Sequence, residues 1–255
     1  MKLGFIGTGK IASSVIIGIC NSKVRFKQII VSPRNKKIAN DLKRKFKKIT
    51  IAKNNQEVID KSSWVFLSIT PKVGEKIIKS LSFKTNQTIV SFISTINLSE
   101  LKKMVKVKSK IVRAIPLPPI SLKKGPIPIY PPNKKVKNFF DKLGSTIEIK
   151  NEKLSINFWS TSGMMASYYE MLRVMSNWLI KKGVKKQDAQ KYITSLFLAL
   201  SEDAVANSNK DLKNLVKESQ TPRGLNEQGL KSMSKKSVYK SVVNTLNSIH
   251  KRLNK

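Results

Sequence analysis

The sequence predicts an α/β protein: an N-terminal domain built on a mostly parallel sheet, followed by an all-helical C-terminal domain. Three observations carry this expectation. Short apolar runs alternate with amphipathic segments from Leu3 to Ala114, the strand–helix–strand order that right-handed crossovers turn into a parallel sheet. Strand signals stop near residue 150, and only helical periodicity follows. The first strand also runs through a glycine-interrupted turn straight into the first helix.

That turn organises the N-terminal domain. The run Leu3–Ile6 is followed by Gly7, Thr8 and Gly9, then by an amphipathic segment with Ile11, Val15 and Gly18 on one side. Gly7 takes the turn, Gly9 lets a phosphate approach the backbone, and Ala12 is small enough for close helix–strand packing. The helix N-terminus, through Lys10 and Ile11, offers unpaired amides to a pyrophosphate. Gly7, Thr8, Gly9, Lys10 and Ile11 are therefore candidate contacts in a Rossmann-type dinucleotide-binding domain. An ordinary glycine turn is the alternative.

Gln28–Ser32 is the second strand. No acid occurs from Arg34 to Asn40, where an NAD site places a carboxylate against the ribose 2′-hydroxyl. Ser32, Arg34 and Lys36 can instead meet a 2′-phosphate, so NADPH is expected in preference to NADH. Otherwise they are surface positives of a positive protein. A helix over Lys36–Lys48 follows, with Ile38, Leu42 and Phe46 as its stripe, then a strand at Ile49–Ala52 and a turn or short helix at Asn55–Asp60. Ser63–Ile69 is the strongest strand signal. Thr70, Pro71 and Lys72 close it and are expected to border the nicotinamide ribose. Helices at Val73–Leu81 and Leu98–Met104 alternate with strands at Gln87–Ile93 and Lys110–Ala114. A proline-crowded stretch from Pro116 to Pro132 leaves room for a late edge strand at Ile127–Tyr130. A helix over Lys134–Leu143, capped by Gly144, and a strand at Ser145–Ile149 complete a domain of residues 1–152.

Residues 153–255 read as helical: Trp159–Lys181, stopped by Gly183; Lys186–Ala206, with Ala189, Ile193, Leu196 and Leu200 as its stripe; Asp211–Ser219; and one or two helices over Asn226–Leu253. So much apolar helix surface is expected to complete its core against a second subunit, giving a homodimer.

Composition narrows the function. No apolar run reaches the ~20 residues of a membrane span. Met1-Lys2 leads into a strand without a signal-peptide pattern, so a cytoplasmic location is expected. The single cysteine, Cys20, excludes an internal disulfide. The net charge of +35 comes from lysines spread over every region, with few interleaved aromatics; anionic small molecules are attracted, but no specific nucleic-acid partner is expected. The lone histidine, His250, lies next to the C-terminus, and no metal-ligand cluster or histidine-based nucleophile can be assembled. Without a Gly-Lys-Ser/Thr loop, ATP hydrolysis is disfavoured. Hydride transfer fits better, because the nicotinamide brings the chemistry and the protein supplies orientation. The proton then comes from a hydroxyl, a lysine or water.

Substrate candidates lie in the second half. Ser162-Gly163 stands at the start of the long helix, where free amides could hold a carboxylate, and Tyr169 follows within two turns. Thr221 to Gln228 is a turn rich in hydrogen-bonding groups that enters a helix. Thr221, Asn226, Glu227 and Gln228 are its candidate catalytic contacts; a helix start capped by Asn226 is the alternative.

Gly4–Ala12, Phe66–Lys72, Ile111–Pro116 and Thr221–Gly224 resemble, in order, successive motifs of the pyrroline-5-carboxylate reductases. The resemblance implies a C-terminal helical dimerisation domain, an active site at the dimer interface, and NAD(P)H-dependent reduction of a cyclic imine acid in proline synthesis. Departures fall at the substrate end. The family's asparagine after the arginine motif is Leu117, its Gly-Ser-Gly-Pro-Ala helix start is Thr161–Met165, and the threonine of its Pro-Gly-Gly-Thr-Thr loop is Leu225. Three functions stay open: reduction of pyrroline-5-carboxylate, reduction of another small carbonyl or imine acid, or a non-catalytic nucleotide-binding or interaction protein.

Overall fold

A computed structural model describes residues 1–254, which form two compact units meeting in sequence at Phe158/Trp159. The first contains β1 (Lys2–Ile6), α1 (Lys10–Cys20), β2 (Gln28–Val31), α2 (Lys36–Lys45), β3 (Ile49–Ile51), α3 (Asn55–Asp60), β4 (Trp64–Leu67) and α4 (Pro71–Lys79). It continues through β5 (Thr88–Ser91), α5 (Leu98–Val105), β6 (Lys110–Ala114), a 3₁₀ turn at Pro118–Leu122, β7 (Pro126–Tyr130), α6 (Lys134–Phe140) and β8 (Ser145–Glu148).

The eight strands form one sheet in the order β3-β2-β1-β4-β5-β6-β7-β8. All neighbours are parallel except β6 and β7. Strand order reverses between β1 and β4, so the carboxyl ends of these strands form the crevice where doubly wound sheets bind ligands.

The period-2 alternation of buried strands feeds two cores. Phe5, Val31, Phe66 and Val112 point to one face, under α1, α2 and α6, where they meet Val15, Ile16, Leu42 and Phe140. Ile6, Ile30, Val65 and Leu67 point to the other, under α3, α4 and α5, with Val58, Ile78 and Leu101. Phe5 and Phe66 stack with centroids 4.5 Å apart across the β1–β4 pair, a contact worth about 0.5–1.5 kcal/mol beyond area burial.

Several element boundaries differ from the sequence expectation. The buried stripe of α1 is Ala12, Val15, Ile16, Gly18 and Ile19, with Val15 and Gly18 where they were expected and Ile11 half-buried. α2 ends at Lys45 because Phe46 must be extended to deliver Ile49 opposite Ile29. β7 is not an edge: α6 returns the chain so that β8 pairs along its outer side. α6 stops at Phe140, with Asp141 rather than Gly144 at its C-cap.

After β8, Glu152 stays with the first unit. It accepts hydrogen bonds from the Leu98 amide (2.8 Å) and the buried Arg113 guanidinium, which also donates to the Ser94 carbonyl (2.6 Å). Ser155 is buried as well. These anchors carry the first compact unit past the 152/153 division expected where strand signals end.

α7 (Ser155–Ser162) runs across the division, and the second unit continues with α8 (Met165–Lys181), α9 (Lys186–Ala206), α10 (Lys213–Glu218), α11 (Leu225–Lys235) and α12 (Val238–Leu253). The expected single helix over Trp159–Lys181 is thus two, broken at Gly163-Met164. Ser237, at φ +55, divides the last helical stretch. Among the described residues of this unit only Ser160, Ser176, Ala189 and Ile193 are buried. The α9 stripe is buried at its first two positions, but Leu200 is 55% exposed. Trp178 and Tyr192 also face outward, at 59% and 62%. Among the described residues no helix is long and apolar enough to cross a membrane.

Candidate functional site

At the carboxyl end of β1 the chain turns at Gly7, whose φ is +96°. A Cβ there would meet the Ser68 carbonyl oxygen at 2.3 Å. Neighbouring strand exits clamp this turn from both sides. The Gly7 amide donates to Ser32 Oγ (2.8 Å), the Ser32 amide to the Phe5 carbonyl (3.0 Å), and the Ser68 amide to the Ile6 carbonyl (2.8 Å). Gly9 is the N-cap of α1 in an extended conformation, and no side chain caps the helix. The first helical bond runs from the Ser13 amide to the Gly9 carbonyl (2.9 Å), so the amides of Lys10, Ile11 and Ala12 precede the hydrogen-bond ladder. A Cβ on Gly9 would touch nothing within 4 Å.

This turn floors a cavity of about 420 Å³. Gly7, Thr8, Gly9, Arg34 and Thr70 line it as expected, together with Asn35, Lys36, Ser68 and Ile69. Thr8 is 2% exposed, and its hydroxyl has no hydrogen-bond partner. Arg34 and Lys36 are the charged residues of the lining, and both are exposed. An unpartnered hydroxyl, an open backbone approach at Gly9 and two cations line the cavity, and α1 starts directly after Gly9. The residues fit a dinucleotide: pyrophosphate at the glycine turn, a 2′-phosphate at Arg34 and Lys36.

Five expected cofactor contacts need correction or restriction. Ser32 is 1% exposed and is not on the cavity wall; its hydroxyl accepts from Gly7 because the β2 exit packs directly against the β1 turn. Lys72 is an exposed residue of the first turn of α4 and does not line the cavity. Pro71 borders a separate cavity of about 390 Å³ with Thr95 and Glu100. Lys10, which is exposed, and Ile11, which is half-buried, are also absent from the lining. Asn35, which sequence reasoning missed, caps α2 by accepting from the Ile38 amide (3.3 Å); an asparagine just before a helical run is the signal that would have found it. Ser68 and Ile69 were missed although they adjoin Thr70 at the carboxyl end of the central strand.

In the helical unit the polar candidates are largely engaged. Ser162 is the last residue of α7, and the Gly163 amide donates to the carbonyls of Trp159 and Ser160 (3.2 and 3.1 Å). It is therefore not a free helix-start donor. Tyr169 is 54% exposed, its ring beside that of Tyr168.

The 221–228 turn closes through the Gly224 amide and the Thr221 carbonyl (2.8 Å), with Arg223 at φ +63°. Gly224, not Asn226, is the N-cap of α11. Asn226 Nδ2 donates to the Ser219 carbonyl (2.8 Å). Glu227 accepts from the Arg223 amide (2.6 Å) and pairs with Lys231 (2.5 Å). The Lys231 hydrogen bond, then the Arg223 amide, hold its carboxyl below the usual glutamate range. A carboxylate so stabilised is a poor proton donor, and both residues serve to shape the turn. Thr221 and Gln228 remain exposed. Among the described residues no group of three or more His, Cys, Asp or Glu is placed to hold a metal.

A mostly parallel sheet with a glycine turn at its switch point, followed by a helical unit, is the architecture of a dinucleotide-binding protein. Comparison with known proteins narrows this. Residues 2–97 match the family described as NADP oxidoreductase, coenzyme F420-dependent, and residues 153–255 match pyrroline-5-carboxylate reductase dimerisation. The pyrroline-5-carboxylate reductase of Haemophilus influenzae is 23% identical over 235 residues, 87% of this chain and 84% of the relative. Pyrroline-5-carboxylate reductase 3 of Danio rerio is 31% identical over 129 residues, 49% of this chain and 44% of the relative. Among solved structures, the 1-pyrroline-5-carboxylate reductase of Streptococcus pyogenes has a TM-score of 0.82 at 24% identity, covering 99% of this chain and 98% of that one. The Plasmodium falciparum pyrroline carboxylate reductase with NADP bound has a TM-score of 0.84 at 20% identity, covering 99% and 97%. In sequence over most of its length, and in fold, the chain is similar to pyrroline-5-carboxylate reductases.

Proposed function

We propose that the chain is an NADPH-dependent reductase that transfers hydride to the C=N, or C=O, of a small carboxylate-bearing substrate. The observation that carries this is the cavity over the glycine turn, with its unpartnered Thr8 hydroxyl and its Arg34 and Lys36 charges. Bound there, the dihydronicotinamide supplies the hydride. The chain itself binds and orients. The 7–9 turn and the first amides of α1 hold the pyrophosphate, Arg34 and Lys36 hold the 2′-phosphate, and Thr70 borders the nicotinamide ribose.

For the substrate, Thr221 and Gln228 are the polar contacts proposed from the 221–228 turn, and Tyr169 from α8. Asn226 and Glu227 keep that turn in shape. Pyrroline-5-carboxylate, named in the relatives, is the first substrate to test. A different small imine or carbonyl acid is the second, because Leu225, 86% exposed, stands where the family loop carries threonine and cannot donate a hydrogen bond to the reacting group.

A homodimer is part of the proposal. A helical unit with four buried residues among those described has its apolar side chains, Trp178 and Tyr192 among them, available for a second copy. The proposed location is the cytoplasm, and the lysine surface is read as solvation without a specific nucleic-acid partner.

The test is NADPH oxidation with pyrroline-5-carboxylate. Turnover supports the first substrate. NADPH binding without turnover directs the search to sibling acids. Failure to bind either NADPH or NADH overturns the reductase reading.

A further inference from the structure

We propose that Ser32 is a positioning residue that holds the glycine turn in its phosphate-binding form and makes no contact with the cofactor. The proposal rests on the cofactor reading above and deepens it. In sequence, Ser32 sits at the end of the second strand of a dinucleotide domain, where a side chain commonly reads the adenosine ribose. Its geometry says otherwise. The side chain is 1% exposed and absent from the cavity wall, whereas Arg34 and Lys36, two and four residues on, line it.

What Ser32 does reach is the turn. Gly7, at φ +96°, has left the β1 ladder, so its amide needs an acceptor outside the strand pairing. Ser32 Oγ is that acceptor, at 2.8 Å, while the Ser32 amide bonds Phe5 two residues upstream. One residue of β2's exit thus grips β1 on both sides of Ile6. From the opposite side, the Ser68 carbonyl oxygen lies 2.3 Å from where a Gly7 Cβ would stand. Losing the Oγ acceptor frees the Gly7 amide to reorient, and Thr8 and Gly9 move with it. That affects the pyrophosphate, which NADPH and NADH share, and leaves the 2′-phosphate contacts in place.

The experiment compares Kd for NADPH and NADH in the wild-type protein, Ser32→Ala and Arg34→Ala, with amide hydrogen exchange at Gly7 in the absence of cofactor. Ser32→Ala is expected to weaken both dinucleotides by the same factor, about tenfold, the size of one lost buried hydrogen bond. Its Gly7 amide should also exchange faster than in the wild type. Arg34→Ala is expected to weaken NADPH about tenfold, with NADH and Gly7 exchange unchanged. Selective loss of NADPH in Ser32→Ala overturns the proposal, as does Gly7 exchange at the wild-type rate. If Ser32→Ala does not fold, Ser32→Thr, which keeps the acceptor, must retain the wild-type NADPH/NADH ratio; a shifted ratio overturns the proposal equally. Wild-type protein that binds neither dinucleotide refutes the cofactor reading, while Gly7 exchange still decides the role of Ser32.

Discussion

Gly7 and Gly9 lie two residues apart, yet alanine should have opposite effects on the fold at the two positions. At Gly7 the backbone has φ +96°, and a Cβ would lie 2.3 Å from the Ser68 carbonyl oxygen, a backbone atom that cannot swing aside. An L-residue in left-handed backbone costs about 1–2 kcal/mol. Relieving the clash strains the Ser68–Ile6 and Gly7–Ser32 hydrogen bonds, each worth about 1 kcal/mol. The sum is roughly 3 kcal/mol, or about 6–12 °C in melting temperature for a chain of this size. At Gly9 the backbone is extended, with φ −76° and ψ −173°, and the added Cβ meets no atom. Gly9→Ala should therefore leave the cofactor-free protein as stable as the wild type, or more stable by about 0.4–1 kcal/mol through the unfolded chain. The methyl, however, occupies the approach a phosphate needs. Overpacking of about 1–3 kcal/mol translates into NADPH binding weakened about 5–150-fold. Thermal melts without cofactor and a fluorescence titration with NADPH measure both quantities. If Gly9→Ala binds NADPH like the wild type, no phosphate sits over Gly9. If Gly7→Ala melts with the wild type, the strain argument is wrong.

Three further outcomes are expected. Replacing Trp178 and Tyr192 together by lysine should convert a dimer into monomers in sedimentation; an unchanged mass means the interface lies elsewhere. Glu227, whose carboxyl is held below its usual 4.5 by Lys231, stabilises the turn at neutral pH, and that contribution is lost as pH falls through its lowered folded-state value. The Arg223 amide signal should report a titration midpoint below 4.5, absent in Glu227→Gln, and a midpoint at or above 4.5 removes the ion pair from the account. Burial pushes the Cys20 thiol from 9.0 up to about 11, against a smaller opposing effect of Lys48. Its thiolate fraction at mildly alkaline pH is then about 100-fold below that of an ordinary thiol, so alkylation should be slow, and reaction at the rate of free cysteine contradicts that burial.

Much of the architecture was legible in the sequence because it rests on local rules. The alternation of apolar runs and amphipathic segments marked the first six strands, the proline-crowded stretch left room for the seventh, the run at Ser145–Ile149 marked the eighth, and α9 spans the residues its periodicity indicated. Gly7 was readable for the same reason, since a left-handed turn after a strand favours a residue without Cβ. Local rules were weaker at junctions. The break at Gly163 and the end of α2 at Lys45 depend on what the next element must reach, and β7 ceased to be an edge only because α6 brings β8 back beside it.

The sequence by itself determined the order of elements, the glycine turn and the acid-free positive segment after the second strand. Those follow from side-chain period, backbone permissiveness and charge, each a property of a few consecutive residues. The tertiary structure decided which polar groups are available. Ser32 and Gly7 are 25 residues apart and meet only because β1 and β2 pair. Asn226 has its amide on Ser219, and Glu227 its carboxylate on Arg223 and Lys231. A hydroxyl or carboxylate looks equally free anywhere in a sequence, but each accepts only a few hydrogen bonds, and the folded chain chooses which partners take them.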